Sequence, residues 1–113
     1  MSQYNRFTYP IPEIRASIYY LTEREGGRKT PVSSGYRGQF YYDDTNWDAC
    51  QTFIGQDVCL LGKTVDCYLT TASPQFHLKQ LHIGKVFEIR EGARVVGKGI
   101  ITEVLNPKFL IEQ

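Results

Sequence analysis

Hydrophobic and polar residues alternate along several stretches of the chain, and this alternation indicates β-strands. In the first stretch, Ile14, Ala16 and Ile18 share one face while Arg15 and Ser17 share the other. Side chains at every second position of a strand lie on the same side of a sheet, so such a stretch buries one face. The same period predicts strands at 14–21, 36–43, 64–70, 85–91 and 94–105.

The last two predicted strands form a hairpin that turns at Gly92-Ala93. Gly97 and Gly99 lie inside its second strand. Glycine at such positions indicates a bend or the close approach of another group, as at the corner of a small barrel. A further short strand is expected at 58–61, so the pattern as a whole predicts an all-β fold.

Three stretches do not alternate. Residues 22–35 are expected to form a loop. Residues 44–57 are rich in turn formers but carry Trp47 and Phe53, so we interpret them as an ordered excursion that packs back onto the domain. Pro74 opens a segment, 72–84, that fits neither the strand nor the helix period, and a loop with one helical turn is expected there.

Composition and charge narrow the possible functions. A chain of 113 residues with 42% hydrophobic residues suits one globular domain. The net charge of +1 provides no overall field for nucleic acid, so any RNA contact must come from a local patch. Cys50, Cys59 and Cys67 contain no C-x-x-C pair, which argues against a disulfide framework and a zinc site. Without an apolar leader or a bilayer-length run, a cytoplasmic protein is expected, with no membrane contact.

One short motif resembles part of a nucleotide-binding site. Gly62-Lys63-Thr64 matches the end of a phosphate-binding loop, but position 57 is Asp where that motif needs Gly. The residues that follow alternate as a strand, whereas the motif must open a helix. We therefore expect no nucleotide hydrolysis.

The possible metal ligands are also poorly spaced. His77 and His82 lie five residues apart, which fits no common metal pair. Asp43, Asp44 and Asp48 lack the spacing of a calcium loop. Loop histidines without a role and a solvated acidic turn are the preferred interpretations, and we expect no catalytic residue, metal or cofactor.

The most informative polar segment is a basic loop. Arg24, Arg28, Lys29 and Arg37 are interleaved with Tyr36 and glycines. Glycine lets backbone amides approach a ligand, and arginine and lysine contact phosphates. This loop could bind a phosphate backbone. The alternative is a solvated loop that nearby glutamates partly neutralise.

Two motifs then resemble a known family. E-G-G-R-K-T-P with G-Y-R-G-Q-F-Y-Y lies within 19–42, and F-E-I-R-E-G-A-R-V-V-G-K-G lies within 87–99. Together they resemble the C-terminal domain of elongation factor Tu over about residues 14–105. The resemblance implies a six-stranded antiparallel β-barrel, with an N-terminal extension at 1–13 and a C-terminal tail at 106–113. Met1 and this tail favour an independent protein.

The resemblance also implies a binding surface. In the full factor this domain follows a GTPase domain, binds the T-stem backbone of aminoacyl-tRNA and helps contact the nucleotide exchange factor. Arg28, Gln39, Glu91 and Gly92 match T-stem contacts of the family, and Lys29 replaces the usual histidine. GTP binding and hydrolysis belong to other domains of the factor and are not expected here.

Other positions depart from the family. Asp43 replaces an arginine and Glu88 replaces a small residue, both at surfaces associated with contacts between domains, while the segment 74–85 is several residues longer. The first hypothesis is a noncatalytic module that binds tRNA or structured RNA. The alternative is a protein-interaction module that mimics this third domain and binds translation factors. An enzyme using His77 or His82 is the least favoured.

Overall fold

β-strands are the main regular elements of the structure, a computed structural model that describes residues 12–111. They are β1 (Ile14–Tyr20), β2 (Val32–Ser33), β3 (Gln39–Tyr42), β4 (Thr45–Phe53), β5 (Val58–Cys59), β6 (Thr64–Thr71), β7 (Val86–Glu91) and β8 (Arg94–Val104). Short 3-10 turns follow β6 at Pro74–Phe76 and β8 at Pro107–Phe109.

The strands close into a barrel in the order β1-β6-β4-β3-β7-β8, and neighbouring strands are antiparallel. β2 and β5 pair with each other outside the barrel. A closed barrel leaves none of its own strands with an unpaired edge. The predicted all-β fold and six-stranded antiparallel barrel are confirmed.

The core follows from the alternation in the sequence. β1 buries every second residue beginning with Ile14, and β6 buries Val65, Cys67 and Leu69 in the same way. β7 buries Phe87 and Ile89. Burying aliphatic and aromatic side chains of this size stabilises the fold by about 1.5–3 kcal/mol each. The barrel interior is therefore the hydrophobic core of this part of the chain.

The predictions of an ordered excursion at 44–57 and of a short strand at 58–61 are wrong in part. The sixth barrel strand is β4, which lies inside the predicted excursion, and β5 is a two-residue strand that pairs only with β2. β4 buries Ala49, Cys50 and Gln51 in succession. The Gln51 side chain faces the core, where its Oε1 accepts from the buried Tyr20 hydroxyl. Cys50 points to the opposite face, where its Sγ donates to the Gly35 carbonyl at 3.7 Å. Three consecutive buried residues break the alternation of buried and exposed positions by which a strand is recognised in a sequence.

The prediction of a close approach at the end of the chain is confirmed. β8 passes so near to the core side of β7 that a Cβ at Gly99 would lie 2.3 Å from the Phe87 ring. A Cβ at Gly97 would lie 3.2 Å from Ile18. The hairpin turns at Gly92-Ala93 as predicted.

Residues 74–85 and 106–111 form a structure that we call the cap. The helical turn predicted after Pro74 is present. Backbone bonds join the two cap segments from Lys79 N–H to Lys108 C=O (2.9 Å), from Leu81 N–H to Phe109 C=O (2.8 Å) and from Ile111 N–H to Leu81 C=O (3.0 Å). The cap buries His77, Leu81 and Phe109. Most of the predicted N-terminal extension, residues 1–11, lies outside the described residues.

Candidate functional site

The basic loop begins with a turn that its own side chains stabilise. The Glu25 carboxylate accepts from the backbone N–H of Thr22 at 2.9 Å and from the Tyr19 hydroxyl at 2.8 Å. The Thr22 hydroxyl in turn accepts from Glu25 N–H at 3.1 Å. Gly27 follows, and a Cβ there would lie 2.5 Å from the Leu21 carbonyl. Only glycine fits this contact, so the turn fixes where Arg28 leaves the barrel.

Arg28 and Glu91, which are 63 positions apart, meet at the edge of the barrel. Arg28 donates from Nη1 to Glu91 Oε2, and the Tyr36 hydroxyl donates to the same oxygen at 2.5 Å. Arg28 also donates from Nε to the Thr30 carbonyl and from Nη2 to the Thr30 hydroxyl, each at 3.2 Å. Its guanidinium carbon lies 5.0 Å from the centre of the Tyr36 ring. The loop and the β7–β8 hairpin are thus joined by one ionic contact.

The electrostatics of this contact favour both charges. Partial burial alone would raise the pKa of Glu91, but hydrogen bonds from Tyr36 and Arg28 and the charges of Arg28 and Arg94 lower it overall. Burial alone would lower the pKa of Arg28, and its bond to Glu91 raises it overall. Both groups stay ionised, so the surface presents a fixed cation beside a fixed carboxylate.

Gly92 forms the adjoining turn. Its φ is +63°, a left-handed conformation that glycine adopts without strain. Arg94, just after the turn, donates to the Gly27 carbonyl at 3.4 Å. The β7–β8 turn is therefore tied to the basic loop by Arg94 as well as by Glu91.

The other predicted site residues lie around this contact. Gln39 begins β3 opposite Arg90, the residue before Glu91, and its Oε1 is buried without a hydrogen bond among the described residues. Lys29 is exposed on the loop. Arg28, Glu91 and Gly92 are brought together, with Gln39 on the adjoining barrel wall.

A second group of basic residues, Arg90, Arg94 and Lys98, joins this surface only in part. Arg94 reaches the basic loop, but Arg90 binds Glu88 at 2.6 Å and stacks 3.6 Å from the Tyr41 ring centre on the outer face of the barrel. Lys98 pairs across the β-ladder with Glu88. Arg90 and Lys98 thus engage Glu88 and Tyr41 on the outer face of the barrel and take no part in the Arg28–Glu91 contact.

That face carries a groove of about 900 Å³ on the outer side of β1, β3, β7 and β8. Val86 and Ile100 pair across the strands there and are 69% and 42% exposed. Asp43 and Glu88 both line it. The groove therefore combines an apolar floor with charged walls.

Two residues of the structure are poorly indicated by the sequence pattern. The pattern marks Tyr36 only as an aromatic residue within the basic loop, yet its hydroxyl helps to fix Glu91. His77 is fully buried and its Nδ1 lies 2.5 Å from the Tyr42 hydroxyl, so the interpretation as a loop histidine without a role is wrong for His77. A hydrophobic residue on each side of His77 was the available signal.

Two absences hold for residues 12–111. No group of three or more metal-ligating side chains comes together there. Over the same residues, no helix has the length and hydropathy needed to cross a membrane.

Comparison with known families agrees with this geometry. The family model described as the elongation factor Tu C-terminal domain matches residues 8–105. The match includes the basic loop, the barrel and the hairpin that carries Glu91 and Gly92. The chain belongs to the family of elongation factor Tu C-terminal domains.

Proposed function

We propose that this chain is a noncatalytic binding module that holds tRNA or another structured RNA by its sugar-phosphate backbone. The surface consists of Arg28, Lys29, Gln39, Glu91 and Gly92. The observation that carries the proposal is the joining of Arg28 and Glu91 across 63 positions beside the Gly92 turn. Family membership supports a translation-related role.

The arrangement suits a phosphate and a ribose side by side. A guanidinium has five N–H donors, and three contacts of Arg28 go to Glu91 and Thr30. The remaining donors are available to a phosphate oxygen. Both side-chain bonds to Glu91 end on Oε2, so Oε1 can accept from a ribose 2′-hydroxyl, the group that distinguishes RNA from DNA.

The position of the phosphate-loop-like sequence supports a noncatalytic role. Lys63 and Thr64 lead into β6, whereas a phosphate-binding loop must lead into a helix. No step of nucleotide hydrolysis is therefore assigned to this chain.

The test is a titration of fluorescently labelled tRNA, aminoacylated and deacylated, followed by anisotropy at low and near-physiological salt. Arg28→Glu should weaken binding at least about tenfold, because it replaces a charge-assisted contact with repulsion. Arg15→Glu is the matched control. Arg15 lies near the start of β1, whereas the basic loop follows the end of β1, and Arg15 pairs with Asp66 of β6. The logarithm of the affinity should fall linearly with the logarithm of salt concentration.

Salt-independent binding, or equal losses in the two variants, would contradict the proposal.

The groove on the outer face favours a second candidate, a protein-interaction module that binds translation factors, because it exposes Val86 and Ile100 between charged walls. Absence of RNA binding at low salt, together with salt-resistant binding to purified elongation factors, would favour that function.

A further inference from the structure

His77 is enclosed in the cap among aromatic rings. Its ring centre lies 5.9 Å from Phe40, 5.6 Å from Tyr42, 5.1 Å from Trp47 and 5.8 Å from Phe109. Nδ1 bonds to the Tyr42 hydroxyl, while Nε2 is buried without a hydrogen bond among the described residues. Trp47 Nε1 is buried and unpaired in the same sense. A protonated imidazole has two N–H donors, and among the described residues the Tyr42 hydroxyl can accept only the one at Nδ1, so the cation would keep a buried, unpaired N–H at Nε2.

The acidic side chains near His77 are not placed to neutralise the positive charge that it would carry when protonated. Asp43 lies on the β3–β4 turn, but it pairs with Lys85, whose ammonium group also sits 5.1 Å from the Tyr42 ring centre. Asp44 and Asp48 are exposed on the β3–β4 turn and on β4, and Lys79 and Lys108 are exposed on the cap itself. Within residues 12–111, none of the three aspartates forms a hydrogen bond or ion pair with His77. Burial lowers the pKa of His77 from 6.5 to about 4.

The cap can open without breaking the barrel. Its two segments are joined to each other by their own backbone bonds, while the six barrel strands complete their ladders without it. It is bonded to the barrel backbone at β8, where Gly84 N–H donates to the Ile101 carbonyl at 2.8 Å and Ile101 N–H donates to the Lys85 carbonyl at 2.9 Å. Just before β1, the Glu13 carbonyl accepts from Asn106 N–H at 3.1 Å. Phe76, Leu78 and Leu110 remain partly exposed on the closed cap. Opening therefore exposes three fully buried side chains of the cap, those of His77, Leu81 and Phe109, while the barrel ladders stay paired.

From this geometry we infer that the cap is an acid-sensitive lid, which opens when His77 takes up a proton and leaves the barrel folded. Opening would uncover Tyr42 and Trp47 at the end of the barrel. Tyr42 and the proposed RNA-binding residue Gln39 are at opposite ends of β3. The lid is thus a separate device from that surface.

The size of the effect follows from proton linkage. When the cap is open, His77 is exposed to water and its pKa lies near the ordinary value of about 6.5. The open form therefore binds the proton more tightly than the closed form, and its population rises as the pH falls from about 6.5 to 4. The equilibrium constant for opening should rise about 20-fold between pH 7 and pH 5. The change is local, because the barrel ladders contain no equivalent buried imidazole within the described residues.

Amide hydrogen exchange of the full chain measures this directly. After correction for intrinsic rates, protection of the Lys79, Leu81 and Ile111 amides should fall about 20-fold from pH 7 to pH 5. Protection of the β1 and β6 ladder amides should stay constant over this range. The fluorescence of Trp47, which is the single tryptophan of the sequence, should change with the same midpoint.

Two variants isolate the cause. His77→Asn keeps an acceptor near the Tyr42 hydroxyl but does not ionise, so the pH dependence of cap protection should disappear even if the variant cap is weaker. His82→Asn, at the exposed histidine of the same segment, should leave the dependence unchanged. The inference is overturned if the dependence survives in His77→Asn, if the barrel amides lose protection in parallel, or if the cap amides are unprotected at pH 7.

Discussion

At the residue scale, Gly99 shows how one missing side chain shapes the barrel. Its position faces the Phe87 ring, which is itself buried and packs edge-on against Phe40 at 4.8 Å. We expect Gly99→Ala to lower the free energy of unfolding by about 1–3 kcal/mol, because the added Cβ would lie 2.3 Å from a ring that has no space to retreat. Urea denaturation measures the loss.

A second substitution tests whether this contact is the cause. Phe87→Leu shortens the opposing side chain, so the double variant should lose less stability than the sum of the two single variants. Additive losses would show that Gly99 is required for another reason, such as its backbone conformation.

At the element scale, the cap depends on a residue from the C-terminal segment. Phe109 is fully buried and its ring lies against His77. We expect Phe109→Ala to raise the pKa of His77 from about 4 towards 6.5, because burial is what lowers it and the smaller side chain admits water. A pH titration of the imidazole signals by NMR measures this, with the exposed His82 as a reference signal.

The accompanying loss of stability is limited. Truncating a buried phenylalanine costs about 3–5 kcal/mol when the surroundings stay in place. Here the cap can open instead, so the loss cannot exceed the free energy of closing it. A His77 pKa that remains near 4 in Phe109→Ala would contradict this account of the cap.

The elements differ in how far the sequence predicts them. β1, β6 and the β7–β8 hairpin bury one face against the core, so their period is visible in the residues themselves. In β4 the outward-facing Cys50 is covered by the loop that contains Gly35, whose carbonyl accepts from Cys50 Sγ at 3.7 Å. That contact joins residues far apart in the sequence, so the alternation of hydrophobic and polar residues within β4 cannot predict it.

In the candidate site, too, the sequence predicts the local features but not the contacts between distant residues. Arg28 and Glu91 were each predicted through motifs, because their neighbouring glycines and charges are local features. Their ion pair, and the Tyr36 hydroxyl that completes it, depend on a contact across 63 positions. His77 was misinterpreted for a related reason, since its burial requires side chains from β3, β4 and the C-terminal segment.

At the scale of the whole molecule, buried cysteine and tyrosine side chains make the free energy of unfolding fall at alkaline pH. Cys67 on β6 is fully buried, and burial, followed by the charges of Asp66 and Cys59, raises its pKa from 9.0 to about 12. Burial likewise raises the pKa of Tyr42 to about 12 and that of Tyr20 still further. The folded state therefore retains protons that the unfolded chain releases.

The sign follows from this difference in proton binding. The contribution of Cys67 is fully present below pH 9 and is lost as the pH rises towards 12, at about 1.4 kcal/mol per pH unit. Between pH 8 and pH 10, we expect the parent protein to lose about 1.4 kcal/mol more stability than Cys67→Ala, as measured by urea unfolding at both pH values. The cavity left by the substitution is present at both pH values and cancels in the comparison, as do the tyrosines, which are common to both proteins. Equal losses would mean that the Cys67 thiolate is tolerated inside the barrel, and that the core admits water or shifts enough to solvate it.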